Sequence, residues 1–347
     1  MLSEFATGNN LCVYISQTAN PITGGWFRYQ FTAPGFPDYP KYAVWPDAYY
    51  ISTNESSPAV YPLDRAQMLT GAAATSQRFT APALAGFSFQ ALTPSDINGA
   101  TVPPLGSPGY FIRHRDDESH NAGSNNATQD FLEIWEFKVD FATPENSTFT
   151  GPTNIAVAEF DSALCGLTSF VCFPQPGTGT TLVTLREVVM WRSQYRNFGS
   201  HETIVGNFVT DVDGNDRGGI RWFELRRTGG AWSLFQEGTY SPDTTHRWMG
   251  SIAMDIAGNI ALGYSAGSST VFPGVRYTGR LSADTPGTLP QAETTIVAGS
   301  GSNSSNRWGD YSSMNVDPVD DCTFLGVGNS LEVTDSDDGR YGPLGFG

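Results

Sequence analysis

Along most of the chain, aromatic and β-branched residues alternate with polar ones in short runs, and turn-forming clusters separate those runs. LCVYISQT, GWFRYQF, KYAVW, AYYIST, GYFIRH, FLEIWEFKVDF and EVVMWRSQYR show the pattern in the first part of the chain. ETIVGNFV, GIRWFEL, WSLFQEG, SIAMDI, NIALGYS and GVRYTGRL continue it. A two-residue period sends successive side chains to opposite faces, which predicts strands. One stretch, LDRAQMLTGAAA around residues 63–74, reads instead as a helix of one or two turns.

The pattern repeats on a larger scale. HRWMGSIAMDIAGNIALGYS (246–265) aligns with NRWGDYSSMNVDPVDDCTFLGVG (306–328) on Arg-Trp, Ser, Met and a polar turn. GIRWFELRR (219–227) echoes GVRYTGRL (274–281), and GWFRYQF near 25–31 reads as another copy. Each unit supplies about four strands, and one such sheet cannot bury both faces alone; radial stacking of sheets can. The expected fold is therefore all-β: a six-bladed β-propeller of four-stranded antiparallel sheets, a single domain over residues 1–347. Blades are expected near 1–35, 36–90, 91–175, 180–243, 244–302 and 303–347, the first and last incomplete. Met1 is placed at the second strand of blade one, as if an innermost strand were missing. A five- or seven-bladed count stays open, and a pair of face-to-face sheets is the structural alternative.

Composition narrows the function classes. The 38 glycines and 22 prolines suit many turns, and 16% charged residues leave little for long solvated helices. The formal charge is −16, and only two of the 19 basic residues are lysines, with the arginines scattered. Nucleic-acid binding needs clustered cations, so that partner is not expected. No apolar run approaches the ~20 residues of a membrane-spanning helix, and no membrane insertion is expected. MLSEFATGNN lacks the basic end and apolar run of a secretion signal, which suggests a chain cut from a larger reading frame. Cys12, Cys165, Cys172 and Cys322 show no zinc spacing. Cys165–Cys172 can close the loop CGLTSFVC, and Cys12–Cys322 would meet if the ends of the chain are neighbours in a ring. Two disulfides imply an oxidising compartment; four buried free thiols are the alternative.

At RWGDYSSMNVDPVDDCTF and HRWMGSIAMDIAGNIALGYS the chain resembles a group of secreted bacterial proteins with propeller domains. The likeness extends through YPKYAVWPDAYYISTN, ANPITGGWFRYQF and NSTFTGPTNI. It implies architecture and an extracellular location, not a reaction. A looser likeness, at the level of fold, is to sialidases, six-bladed propellers that hold a substrate carboxylate with three arginines; their S-x-D-x-G-x-T-W repeat is absent here.

Placed on a propeller, Arg186, Arg247 and Arg307 reach comparable positions around the axis. Asp38, Lys41, His246 and Asp310 lie beside them in entry loops. Three guanidinium groups facing one cavity would bind a carboxylate or sulfate, although the same arginines could equally tie blades together through carboxylates. Asp310 stands where the sister repeat has Gly250, so the repeat does not require an acid there, and it is the favoured catalytic candidate. Tyr311, Asp116 and Glu202 are further catalytic candidates, and RHRDDESHNAGSNNATQD brings Asp117, Glu118 and His120 over the mouth. DVDGND places Asp211, Asp213 and Asp216 in a calcium-like loop, but position 222 is Trp where an EF-hand needs Glu. A tight Asp-Gly turn explains the same letters, and DPVDD (317–321) is a second acidic turn. Trp45, Trp248 and Trp308 suit either inter-blade core or sugar stacking. Together these readings predict a secreted, monomeric glycoside hydrolase, sialidase-like, acting on an acidic glycan. No cofactor is required, and a structural Ca2+ in DVDGND stands beside the reading of that loop as a plain Asp-Gly turn. A glycan- or protein-binding adhesion propeller from a larger surface protein is the alternative.

Overall fold

The computed structural model describes residues 1–120, 126–330 and 338–344. The chain is all-β, and its main strands form six successive antiparallel meanders. The first comprises Leu2–Ala6, Asn10–Ser16 and Trp26–Thr32, and the second Asp38–Val44, Tyr49–Asn54, Ala59–Leu63 and Phe79–Thr80. The third contains Thr93–Asn98, Gly109–Arg115, Gln129–Lys138 and Thr148–Ala158; the fourth Ser193–Asn197, Glu202–Asp211, Gly218–Arg227 and Ser233–Tyr240. The fifth contains His246–Met254, Ile260–Gly267, Gly274–Arg280 and Gln291–Val297; the sixth Ser313–Val316, Phe324–Ser330 and Asp338–Leu344.

The third and fourth meanders are not separate sheets. Thr93 and Pro94 pair antiparallel within the third, but Ser95–Asn98 then run parallel to Ser193–Arg196 of the fourth. The result is one eight-stranded sheet, joined also by the Ser95 and Ser193 hydroxyls at 3.0 Å. No periodicity could announce this pairing, because it joins segments almost a hundred residues apart.

The predicted helix is Arg65–Thr70. Asp64 caps it by accepting a hydrogen bond from the Gln67 amide (3.1 Å), and Gly71 at φ 75° ends it. A side chain at Gly71 would also strike the Phe27 ring, so both backbone and packing require glycine there.

Apolar clusters join neighbouring meanders in chain order. Leu11, Val13 and Ile15 meet Tyr49, Ile51 and Tyr61 between the first and second. Trp45, Tyr50, Phe111, Tyr195 and Phe223 unite the second, third and fourth. Trp222 and Ile220 pack on Ile252 and Leu262, and Ala253 and Ala261 on Met314 and Phe324. The first strands of meanders two to six are also consecutive neighbours, so they line the centre. Because Asn10–Ser16 packs with Tyr49–Asn54, strand Leu2–Ala6 corresponds to the innermost strand Asp38–Val44.

Cys165 and Cys172 form the expected disulfide. Cys12 and Cys322 do not: both are free thiols, Cys12 within the middle strand of meander one and Cys322 on an exposed turn of meander six. Thiol titration of the denatured, unreduced protein should therefore count two free thiols per chain; zero would restore the second bridge. Leu262 is fully buried among Ile220, Trp222 and Ile252. Leu262→Ala should cost ~2–5 kcal/mol in chemical denaturation. Exposed Leu105→Ala should stay within ~0.5 kcal/mol.

Candidate functional site

In an antiparallel meander, the connection into the first strand and the loop between the second and third lie at the same end. At that end the long connection between meanders three and four, residues 159–192, folds over the centre. It carries the disulfide and a small hairpin, Val171–Phe173 with Leu182–Val183. Leu164, Phe173, Leu182, Leu185 and Met190 from this cap pack on Tyr39, Val209, Trp248, Met249 and Trp308. The mouth expected to hold substrate is filled there by core. Trp248 and Trp308, ring centres 6.4 Å apart, belong to that core, and Trp45 is buried as well.

Beside the cap lies a cavity of about 340 Å3, where meanders one, two and six meet. Ser3, Glu4 and Phe5 line it from the first strand; Pro40, Lys41 and Tyr42 from the second meander; Trp191, Tyr311, Ser312 and Ser313 complete it. Lys41 is its organising group. Its ammonium lies 3.6 Å from the centre of the Tyr39 ring and 4.0 Å from that of Tyr311, and it donates to the Asp310 carbonyl (2.9 Å). Burial pushes the Lys41 amine down to about 7, against the opposing pull of Asp310 and Asp38. Trp191 is fixed by its indole N–H donating to the Tyr42 carbonyl (3.0 Å).

Asp310 has one carboxylate oxygen paired with Arg307, while the other, Oδ1, is buried without a hydrogen-bond partner among the described residues. Burial raises its pKa, opposed by Arg307 and Lys41. Partial burial and then the Asp310 carboxylate push the Tyr311 hydroxyl up to about 12, so it remains a donor. Glu4 accepts the Tyr14 hydroxyl, and Asp38 accepts the Asn54 amide (3.0 Å). The sister position Gly250 cannot carry an acid, because a Cβ there would stand 2.2 Å from Asn207 Oδ1.

The fold thus gathers five of the predicted residues, Asp38, Lys41, Arg307, Asp310 and Tyr311. The others it places elsewhere. The three arginines do not share a cavity. Arg186 is buried in the cap, donating to the Ser169 carbonyl and pairing with Glu187. Arg247 is fully buried between Asp243 and Glu293, tying the first strand of meander five to its last. Only Arg307 is exposed, and Asp310 satisfies it. Glu202 takes both prongs of Arg227 and the Tyr195 hydroxyl, away from the cavity. His246 Nδ1 accepts the Gly218 amide (3.3 Å), and its ring packs on Phe173. Sequence spacing does not show which cation a buried carboxylate has already claimed.

Asp116 is buried away from the cavity and accepts the amides and hydroxyls of both Ser119 and Ser162, all at 2.8–2.9 Å. The calcium-like loop closes on itself. Asp211 accepts the amides of Asp213, Gly214 and Asp216, Asp213 pairs with Arg217, and Asp216 accepts the Cys165 amide (2.6 Å). DPVDD is also a turn, with Asp321 paired to Arg196. Burial holds His120 down to about 4 and His114 to about 3, both neutral. Glu4, Tyr42 and Trp191 escaped the sequence reading because nothing in their local pattern separates them from ordinary strand residues.

No protein-family model and no curated protein matches the chain. Among solved structures it is similar to the α-L-arabinofuranosidase Arb93A from Fusarium graminearum in complex with an iminosugar inhibitor. That match has 11% identity and a TM-score of 0.39, covering 89% of this chain and 92% of that one. It is also similar to an endo-arabinase from Bacteroides thetaiotaomicron (11%, 0.39, 89% and 94% covered). A third similarity is to an α-L-arabinanase from Penicillium chrysogenum complexed with arabinobiose (9%, 0.41, 89% and 93%).

With only two lysines, Lys41 can be followed directly. One lysine Cε NMR resonance should titrate near pH 7 and vanish in Lys41→Met. An unfolded lysine titrates near ~10.4, so the folded state holds this proton less tightly. The wild type should therefore gain stability as pH rises from about 7 to ~10, a slope missing from Lys41→Met. A Lys41 titration near 10 would refute the buried-amine geometry.

Proposed function

We propose that the six meanders are the blades of a β-propeller and that the protein is a carbohydrate-active hydrolase working at the cavity beside its axis. The observation that carries this reading is Asp310: its Oδ1 is buried and without a partner among the described residues, and its neighbour Tyr311 and its contact Lys41 line a cavity that also holds Trp191 and a second carboxylate, Glu4. A carboxyl group raised by burial suits proton donation to a glycosidic oxygen, and a second carboxylate can serve as nucleophile or base. Tyr311 and Trp191 offer faces on which a sugar ring can stack. The substrate we infer is an uncharged glycan. The arginines that would have clamped an acidic sugar are engaged by protein carboxylates, which removes the basis for a sialidase-like clamp. The disulfide supports an extracellular location.

The cap over the mouth favours a second reading, a glycan-binding propeller without catalysis. A panel of chromogenic glycosides and plant and microbial polysaccharides separates the two. For the enzyme, Asp310→Asn and Glu4→Gln should each lower kcat by ~10²–10⁴, with Asp310→Asn also removing the alkaline limb of the pH profile, where the proton donor is lost. If wild type is silent on the panel while a glycan array retains signal that Tyr311→Ala abolishes, the protein is a binder and the hydrolase reading is wrong.

A further inference from the structure

Away from the cavity, the loop after strand Gly109–Arg115 brings several carboxylates together with no cation among them. Carboxylate oxygens of Asp116, Glu118 and Asp130 all lie within 4.8 Å of one another. Asp116 and Asp130 are buried, and their orientation is set from outside the cluster. Asp116 is held by Ser119 and Ser162, and Asp130 accepts the amides of Asp117 (2.8 Å) and Phe160 (2.9 Å). Such bonds hold a carboxylate in place and leave lone pairs over.

A second observation concerns the side chains beside them. Asp117 is only 1% exposed, and one of its oxygens accepts the Asn126 amide (3.1 Å). The other, Oδ1, has no partner among the described residues, and neither does the buried Oε2 of Glu118, although the two carboxyl groups stand within hydrogen-bonding reach of each other. A buried, unpartnered carboxylate oxygen is costly unless something positive meets it. The nearby arginines do not: Arg113 and Arg115 are both taken by Glu133.

We propose that Asp116, Asp117, Glu118 and Asp130 form a Ca2+ site. Every donor is a hard carboxylate oxygen. Calcium–oxygen distances of ~2.3–2.6 Å allow ligand oxygens on opposite sides of the ion to stand ~4.6–5.2 Å apart, matching the span of the cluster. Mg2+, at ~2.0–2.1 Å, needs a tighter octahedron. The ion would also have a mechanical role. Ser162 and Phe160, which hold the ligands, open the 159–192 connection. Filling the site therefore fastens one end of the cap to meander three. This inference does not depend on the hydrolase reading.

The test uses the full chain stripped with EDTA and titrated with CaCl2 by isothermal calorimetry, with thermal unfolding in parallel. One Ca2+ per chain is expected, with Tm rising on addition and falling again with EDTA. Glu118→Gln and Asp117→Asn, which leave the hydrogen bonds from Ser119, Ser162 and Phe160 in place, should each weaken binding at least ~10-fold. Asp213→Asn, in the self-satisfied loop, should bind like wild type. No heat of binding and no Ca2+-dependent shift in Tm would overturn the proposal. So would full binding retained by both cluster variants, or loss of binding in Asp213→Asn alone.

Discussion

Meanders two to five contain strands buried on both faces, such as Tyr49–Asn54, Gly109–Arg115, Glu202–Asp211 and Ile260–Gly267, whereas Leu2–Ala6 of meander one lies exposed. A meander of three or four short strands has no means of covering itself, so each of these four is sandwiched between two others. Apolar clusters link the meanders in chain order from the first to the sixth. The sixth then has to find the beginning of the chain. It does so through Lys41, which is stacked between Tyr39 and Tyr311 and hydrogen-bonded to the Asp310 backbone. A cavity is left where that closure is polar rather than close-packed, and the candidate chemistry lies there.

The same logic explains where the charges go. In a chain with so few lysines, buried carboxylates are met largely by arginine, whose fork satisfies two oxygens at once. Arg247 joins Asp243 and Glu293 across its own sheet, Arg192 holds Asp96 between meanders, and Arg227 holds Glu202. These pairs specify register more than they add stability, since removing either member would strand the other in the interior. Arginines committed in this way are not free to hold a ligand. Asp310 differs because Arg307 engages only one of its oxygens.

The cap adds a further constraint. Residues 159–192 supply a core of their own over the end of the ring, stapled by Cys165–Cys172. The Arg-Trp repeat that first suggested equivalent units is divided by it: both tryptophans serve the cap, whereas one arginine is fully buried and the other lies at the surface. Equivalent letters in two repeats need not have equivalent surroundings when one irregular segment covers the mouth unevenly.

Alternation of apolar and polar residues, the turn clusters and the repeats were enough to read strands, approximate unit boundaries, the short helix and the Cys165–Cys172 bridge, because each depends on neighbours a few residues away. Asp38, Lys41, Asp310 and Tyr311 were legible as a group because they lie at or just before the first strands of related units. Tertiary structure alone decided that meanders three and four fuse, that Cys12 and Cys322 stay apart, and which carboxylate each arginine binds. It also decided that the cap fills the mouth and that the acidic cluster lies at Asp116–Glu118 and Asp130, not in DVDGND. All of these depend on distances between segments tens to hundreds of residues apart. A local pattern sets which way a side chain leaves its strand, but only the folded chain sets what it meets there.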